Sequence, residues 1–406
     1  MGKRTLVIYV LLFGFAMSLT PYSIDPFLPA FPAMGEYFGV DAPTIQASFA
    51  GVTLGLALGQ LLSGPISDAF GRRPLLLAAT AGYGLSTLGI FFAPTLEVFV
   101  TFRFTMAVFA ATADVVARAV IRDLFRGQPM LQMLSRVFLI QALAPIFGPI
   151  LGSQVVSIGP WQYVFLIVGF FGLVTSFLVW YFLDETLPKA QRRASTAIGI
   201  LRGFGNVLRD RAYFGLLLTS ALQMAALFGY LNVVSYLYQE EFGLSEAEFG
   251  LVFALNALAM YLGIQVGGLL SKRFRVQWLM VGFLTVGALT GFYLMATTGS
   301  GLWFAEIGFI VLVFVFGAPA AATPTLALLN HGSEAGTASA LMGSTNFLAT
   351  TVFAAIYSTL SLTETFDVGV LIAANFGLAT LVLLFVVRPW TIPDLRKPQE
   401  LPEESH

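Results

Sequence analysis

Long apolar runs separated by short polar ones account for nearly the whole chain. A helix that crosses a bilayer needs roughly 20 predominantly apolar residues. Twelve runs meet that length, at about 5–33, 46–67, 74–93, 97–121, 133–157, 161–183, 212–238, 248–270, 278–297, 302–329, 337–361 and 367–388. They predict an all-α integral membrane protein with spans 1 to 12 in chain order. Most connections are only a few residues long. The exception, Asp184 to Arg211, is the longest polar and most basic stretch, and it divides the chain six plus six. The expected organisation is an N-terminal six-helix bundle over 1–187, a linker over 188–211, a C-terminal bundle over 212–390 and a tail over 391–406.

Charge then orients the spans. Lys and Arg cluster at alternate ends: Lys3 and Arg4; Arg72 and Arg73; Arg122, Arg126 and Arg136; Lys189 to Arg211; Lys272, Arg273 and Arg275; Arg388, Arg396 and Lys397. The intervening connections carry acids, among them Glu36, Asp41, Glu97, Glu240, Glu241, Glu246 and Glu248. Cytoplasmic connections are the ones enriched in Lys and Arg, so both termini and the linker are expected in the cytoplasm. Two basic residues break the pattern. Arg103 and Arg118 lie inside span 4 together with Asp114, and an ionisable group within a span marks a candidate functional site.

Composition excludes several classes. Apolar residues make up 57% of the chain and charged ones 11%, against about 25% charged in soluble domains. There is no Cys, so neither disulfides nor thiolate chemistry is available. His331, in a connection, and His406 are the two histidines, so no His-based metal cluster is expected. A net charge of −1 gives no reason to expect nucleic acid binding. The first apolar run is too long for a cleavable signal and reads as a retained helix.

A repeat crosses the six-plus-six division. Gly64-Pro-Ile-Ser-Asp-Ala-Phe after span 2 and Gly268-Leu-Leu-Ser-Lys-Arg-Phe after span 8 keep Gly, Ser and Phe in register. Two six-helix halves are the parallel-repeat pattern of major-facilitator-type transporters. Small residues repeat every fourth position at Gly51, Gly55 and Gly59, at Gly148 and Gly152, and at Gly263 and Gly267. Such faces let helices approach closely, either as static packing or as surfaces that slide.

The string Gly64-Pro-Ile-Ser-Asp-Ala-Phe-Gly-Arg-Arg-Pro, which carries Asp68, Arg72 and Arg73, resembles the loop motif of major facilitator transporters. Ser23-Ile-Asp-Pro-Phe-Leu-Pro-Ala-Phe-Pro32, Val116-Ala-Arg-Ala-Val-Ile-Arg-Asp-Leu-Phe125, Pro145-Ile-Phe-Gly-Pro-Ile-Leu-Gly152, Asp184-Glu-Thr-Leu-Pro188 and Ala335-Gly-Thr-Ala-Ser-Ala340 are similar to segments of bicyclomycin- and chloramphenicol-resistance-type drug–proton antiporters. The resemblance implies the major facilitator fold, a bacterial inner-membrane location and proton-driven export of small, mostly apolar compounds. Pro145, Gly148, Pro149 and Gly152 also resemble the span 5 motif associated with antiport, with Ser153 in place of its last glycine. In the family, the Arg in span 4 is followed by Gln and Gly. Arg103 matches that Arg, but Met106 and Ala107 replace the other two.

The candidate chemistry follows from depth. At about 1.5 Å per residue, Asp25 and Arg103 reach similar depths, so they are expected to face one another. A movement separating them would let the carboxyl take up a proton in one state and release it in another. Asp114 and Arg118, at (i, i+4) spacing, share one helical face: they form either an intrahelical pair or a second proton or cation site. Asp123 is placed to reach Arg72 or Arg73 as a latch on the outward-facing state. Family architecture puts spans 1, 4, 7 and 10 around a central cavity, which nominates Tyr22, Met106, Phe109, Gln223, Met224, Tyr230, Asn232 and Tyr236 for substrate contact. Glu306, about one turn inside span 10, reads as interfacial.

The leading functional expectation is a secondary active multidrug exporter working by alternating access, with the proton as coupling ion and no other cofactor. Its expected partners are a small drug-like molecule, protons and the bilayer, with no nucleic acid, and it is expected to be a monomer. The alternative is a proton-coupled transporter of a specific metabolite such as a sugar or amino acid. No Walker-type loop is present, and no convergent nucleophile, base or metal set points to an enzyme. A membrane-embedded sensor would call for a sizeable signalling domain, whereas the tail after Arg388 is short, Pro-rich and acidic.

Overall fold

In the computed structural model of the protein, described over residues 3–192, 197–320, 322–329, 331, 335–359 and 364–392, each of the twelve apolar runs is helical and long enough to cross a membrane. Spans 1 to 6 are Arg4–Phe38, Ala42–Phe70, Arg72–Phe91, Leu96–Leu124, Gln128–Ile158 and Gln162–Phe182. Spans 7 to 12 are Arg211–Glu241, Glu246–Leu270, Val276–Ala296, Leu302–Ala327, Gly336–Ile356 and Thr365–Val387. No strand occurs among the described residues. Arg193, Arg396, Lys397, His406 and the tail from 393 onward lie outside them.

Polar residues in the short connections set the helix ends. Asp41 caps span 2, and Asp210 caps span 7 through the amide of Ala212 at 2.8 Å. Ser245 and Glu248 form a reciprocal capping box on span 8; each such cap satisfies amides that lack a helical partner. The hydroxyl and then the amide of Thr44 hold the exposed Asp41 carboxyl below the usual carboxylate range. Gly71 lies between spans 2 and 3 at φ 107°, a conformation that a side chain would strain.

Four spans depart from simple rods, span 12 by a closing π-turn over Leu383–Val387. Span 1 is α-helical over Lys3–Tyr22, a 3-10 turn over Asp25–Ala30 and α-helical again over Phe31–Phe38, because Pro26 and Pro29 withhold amide donors from the α-helical ladder. Span 10 breaks after Gly317, ahead of Pro319, and resumes as Ala322–Ala327. Span 7 ends in a π-turn over Leu237–Glu241. The linker also contains a helix, Ala197–Leu208.

Packing repeats across the two halves. Span 2 lies on span 4, span 3 on spans 4 and 6, and span 1 on span 5; correspondingly, span 8 lies on span 10, span 9 on spans 10 and 12, and span 7 on span 11. The Ser67 hydroxyl donates to the Gly64 carbonyl at 2.9 Å, and Ser271 to that of Gly268 at 2.8 Å, so the repeated motif folds alike in both. The halves meet through spans 2 and 11 and through spans 5 and 8.

The three glycine faces all pack within their own half. Gly55 and Gly59 lie against the Phe104 and Val108 carbonyls of span 4, Gly152 against the Pro26 carbonyl of span 1, and Gly263 and Gly267 against the Phe314 and Ala318 carbonyls of span 10. They are therefore static seams. The surfaces between the halves use other groups: Thr53 and Thr351 share a hydrogen bond of 2.8 Å, and Ser153 fills the space over Gly250.

Candidate functional site

The proline break in span 1 creates the first part of the site. It buries Asp25 and Phe27, and Phe27 stacks on Phe165 of span 6 at 4.0 Å between centroids. Gly148 leaves room for Asp25: a Cβ there would lie 3.1 Å from that of Asp25. Pro149 carries on the same helix, its carbonyl facing Gly250 of span 8, and Pro145 lies one turn earlier without interrupting span 5. The motif glycines thus seat the broken turn of span 1.

Arg103 is 2% exposed and lies in an aromatic cage. Its Cζ is 5.0 Å from the Phe27 ring centroid, 5.6 Å from Phe99 and 5.8 Å from Phe165, within range of cation–π attraction. Nη2 donates to the Ser23 carbonyl at 3.5 Å, while Nε and Nη1 have no hydrogen-bond partner. The expected pairing of Asp25 with Arg103 is not made: among the described residues neither joins an ion pair. The break turns Asp25 toward span 5, and Phe27 takes the position over the guanidinium.

Toward the basic face, Arg118 donates to both oxygens of Asp114, with Nη2 to Oδ2 at 2.7 Å and Nε to Oδ1 at 3.2 Å. Asp114 is buried, whereas the Arg118 side chain is 45% exposed. It opens into a cavity of about 450 Å³ between the halves, lined among others by Gln60, Arg122, Phe138, Phe204 and Thr337. Asp68 and Arg72 lie at its rim. Arg72 pairs with Asp68 at 2.6 Å and with Asp123 at 3.1 Å, and its amide donates to Glu185 at 3.0 Å. Arg73 instead donates to the Trp180 carbonyl at 2.9 Å. The Arg72–Asp123 pair joins spans 3 and 4 of one half while the cavity between the halves stands open.

The acidic face is closed. Gln239 of span 7 donates to the Pro29 carbonyl at 3.1 Å and Tyr236 to that of Phe31 at 3.5 Å. Phe228 meets Phe49 of span 2 at 5.9 Å. Asn232, one turn from Phe228, lies on the same stripe and is buried with its Oδ1 unpartnered. The residues that line the cavity lie in the portions of the spans nearer the basic face.

None of the eight nominated substrate residues lines that cavity. Tyr22 packs on Phe171 and Phe109 against Gly82, both inside the N-terminal half. Met106 is fully buried. Gln223 turns back on the Thr219 carbonyl, and Met224 packs against the core. Tyr236 belongs to the seal. Tyr230 faces into the C-terminal half, where its hydroxyl accepts from Asn256 at 3.3 Å.

Glu306 is a second correction. It is 1% exposed rather than interfacial. Tyr238 donates a short hydrogen bond to its Oε2, and Asn256 donates to the Tyr238 hydroxyl at 3.1 Å. Counting residues from the helix end missed this, because spans 7 and 8 cover that end of span 10. A usable signal was present: Tyr238, Asn256 and Glu306 are polar residues in otherwise apolar runs.

The sequence profile of the Major Facilitator Superfamily matches residues 6–354. The uncharacterized MFS-type transporter YdgK of Bacillus subtilis is 31% identical over 349 residues, 84% of this chain and 86% of the relative. A bicyclomycin resistance protein homolog of Haemophilus influenzae is 26% identical over 347 residues, 85% of this chain and 87% of the relative. Among solved structures, the xylose transporter XylE of E. coli superposes with a TM-score of 0.75 at 14% identity, over 97% of this chain and 99% of that one.

Proposed function

This chain belongs to the Major Facilitator Superfamily, and from that premise we propose that it exports small, mostly apolar, drug-like compounds in exchange for protons by alternating access. It acts as a monomer in a bacterial inner membrane, with the proton as coupling ion. The basic face is cytoplasmic, as the Lys and Arg bias requires, and both termini lie there. The arrangement described above is then the inward-facing state, with its cavity open to the cytoplasm and its periplasmic side sealed. The relatedness to a bicyclomycin resistance protein homolog supports a drug as cargo.

The observation that carries the reading is the separation of Asp25 from Arg103. A carboxyl buried beside the span 5 glycines, with no cation in contact, is stable when it carries a proton. Release of that proton toward the cytoplasm leaves a carboxylate, which is stabilised by moving toward the half-satisfied guanidinium in its aromatic cage. Rocking of the halves alternates these arrangements, and the proton gradient drives the cycle. The membrane potential alone contributes about 2.3 kcal/mol per 100 mV for each charge moved. Asp114 is buried and tied to Arg118, whose exposed side chain lines the cavity, and the pair stands as a second proton or cation-recognition site.

Expression in a host lacking its own pumps tests the proposal. The chain is expected to raise the inhibitory concentration of bicyclomycin or chloramphenicol several-fold, and an uncoupler or Asp25→Asn to remove that gain. Uptake of compound into cells along with protons would instead identify a symporter.

A further inference from the structure

The exchange reading leaves Glu306 without a role, although among the described residues it is the one acid buried deep in the C-terminal half. Span 7 brings Tyr230 and Tyr238 to it, span 8 brings Asn256, and the nearest span 9 phenol, Tyr293, packs beside Gly308 on the same helix. Between Glu246 and Gly317 the only cations are Lys272, Arg273 and Arg275, in the turn at the opposite membrane face. Glu246 and Glu248, at the start of span 8, add negative charge. The pocket thus offers hydroxyl and amide groups and no countercharge.

Two acceptors in the pocket lack a partner. Glu306 Oε1 and Asn256 Oδ1 are both buried without a hydrogen-bond partner. A buried acceptor without a donor is destabilising, and a proton on the carboxyl supplies a donor. This is a built seat for a neutral carboxylic acid.

Its position links it to the gate. Tyr238 and Gln239 are consecutive residues of the π-turn that closes span 7. Tyr238 holds Glu306, while Gln239 holds the Pro29 carbonyl of the other half. The wider turn brings Tyr238 over the face that carries Tyr230 and leaves Gln239 aimed across the seal; π-turns inside α-helices commonly mark such functional positions. We propose that Glu306 is a second proton site, and that its proton holds the periplasmic gate shut through the π-turn of span 7. Loss of the proton to periplasmic water at the ends of spans 7, 8 and 10 leaves a buried carboxylate that the Tyr238 bond alone does not compensate for want of a countercharge. Span 7 then shifts toward water, the Gln239–Pro29 bond breaks and the outward-facing state forms. Protonation from the periplasm reverses the sequence.

The proposal rests on the proton-exchange reading, but its test needs no cargo. The chain has no Cys, so Tyr37→Cys and Ser300→Cys, both exposed at the periplasmic ends of opposite halves, give two specific sites for spin labels. Distances are measured in lipid nanodiscs from pH 5 to pH 9. The expected result is a longer, gate-open population that grows with pH in the labelled parent. In the Glu306→Gln background the growth of that population with pH should be several-fold smaller than in the labelled parent. Tyr238→Phe, which keeps the ring packing on Phe249 and Phe309, is expected to displace the midpoint, and it serves as the test should Glu306→Gln misfold. A pH response unchanged by both Glu306→Gln and Tyr238→Phe, or no response in the parent, overturns the proposal. If drug-driven proton flux in vesicles remains intact in that case, the exchange reading stands and the gate latch alone falls.

Discussion

Spans 4 and 10 occupy equivalent places in the two halves, and each carries an ionisable group through the apolar layer. At the offset that takes Gly64 to Gly268, Arg103 falls on Ile307, the neighbour of Glu306. The packing around them is matched, since span 2 lies on span 4 as span 8 lies on span 10. The chemistry is not. The N-terminal half holds a cation among three aromatic rings, with its acid turned away on the broken turn of span 1. The C-terminal half holds an acid among phenols and an amide. Helix packing depends on small residues and backbone approach, which a duplicated framework preserves. A charge needs only one substitution and a pocket to satisfy it. The two halves therefore share a scaffold and differ in the buried charge that it carries.

The largest effect that tests this contrast is expected at Arg103. Replacing an unpaired buried charge with an apolar group of similar length removes a desolvation cost. Arg103→Met is therefore expected to abolish efflux while leaving thermal unfolding of the purified protein unchanged or raised. A large drop in melting temperature would make the guanidinium a structural member and dissolve the contrast with Glu306. A second measurement addresses what the halves share. Gly59→Ala and Gly263→Ala each press a methyl group onto a facing carbonyl, and overpacking of this kind costs about 1–3 kcal/mol. Matched losses in thermal stability are expected; a loss on one side only would show that the scaffold is not equivalent. The smallest effect concerns the Arg72–Asp123 pair. It is partly exposed, so Asp123→Asn should change stability by no more than about 1 kcal/mol, with any change in transport appearing as a shift between inward and outward populations.

Span number and the alternation of basic and acidic ends were legible along the chain, because a bilayer imposes a fixed length and a fixed charge asymmetry on any sequence that crosses it. The loop motif and its echo after span 8 were legible for the same local reason, and Ser67 and Ser271 adopt the same bond in both places. The (i, i+4) pair of Asp114 and Arg118 also needed nothing beyond helical spacing. The site depended on more than this. Whether Asp25 meets Arg103 is decided by the 3-10 turn at Pro26 and by Phe27 reaching Phe165 of span 6. Whether Glu306 is wet or buried is decided by a π-turn and by two helices that return to span 10 from elsewhere in the chain. A fraction of a turn moves a side chain from one partner to another, and those partners lie tens of residues away. Sequence therefore determined which segments are long and apolar enough to cross the membrane, while tertiary packing alone decided which buried charge faces a cage, which faces an acceptor-rich pocket and which lies beside the cavity.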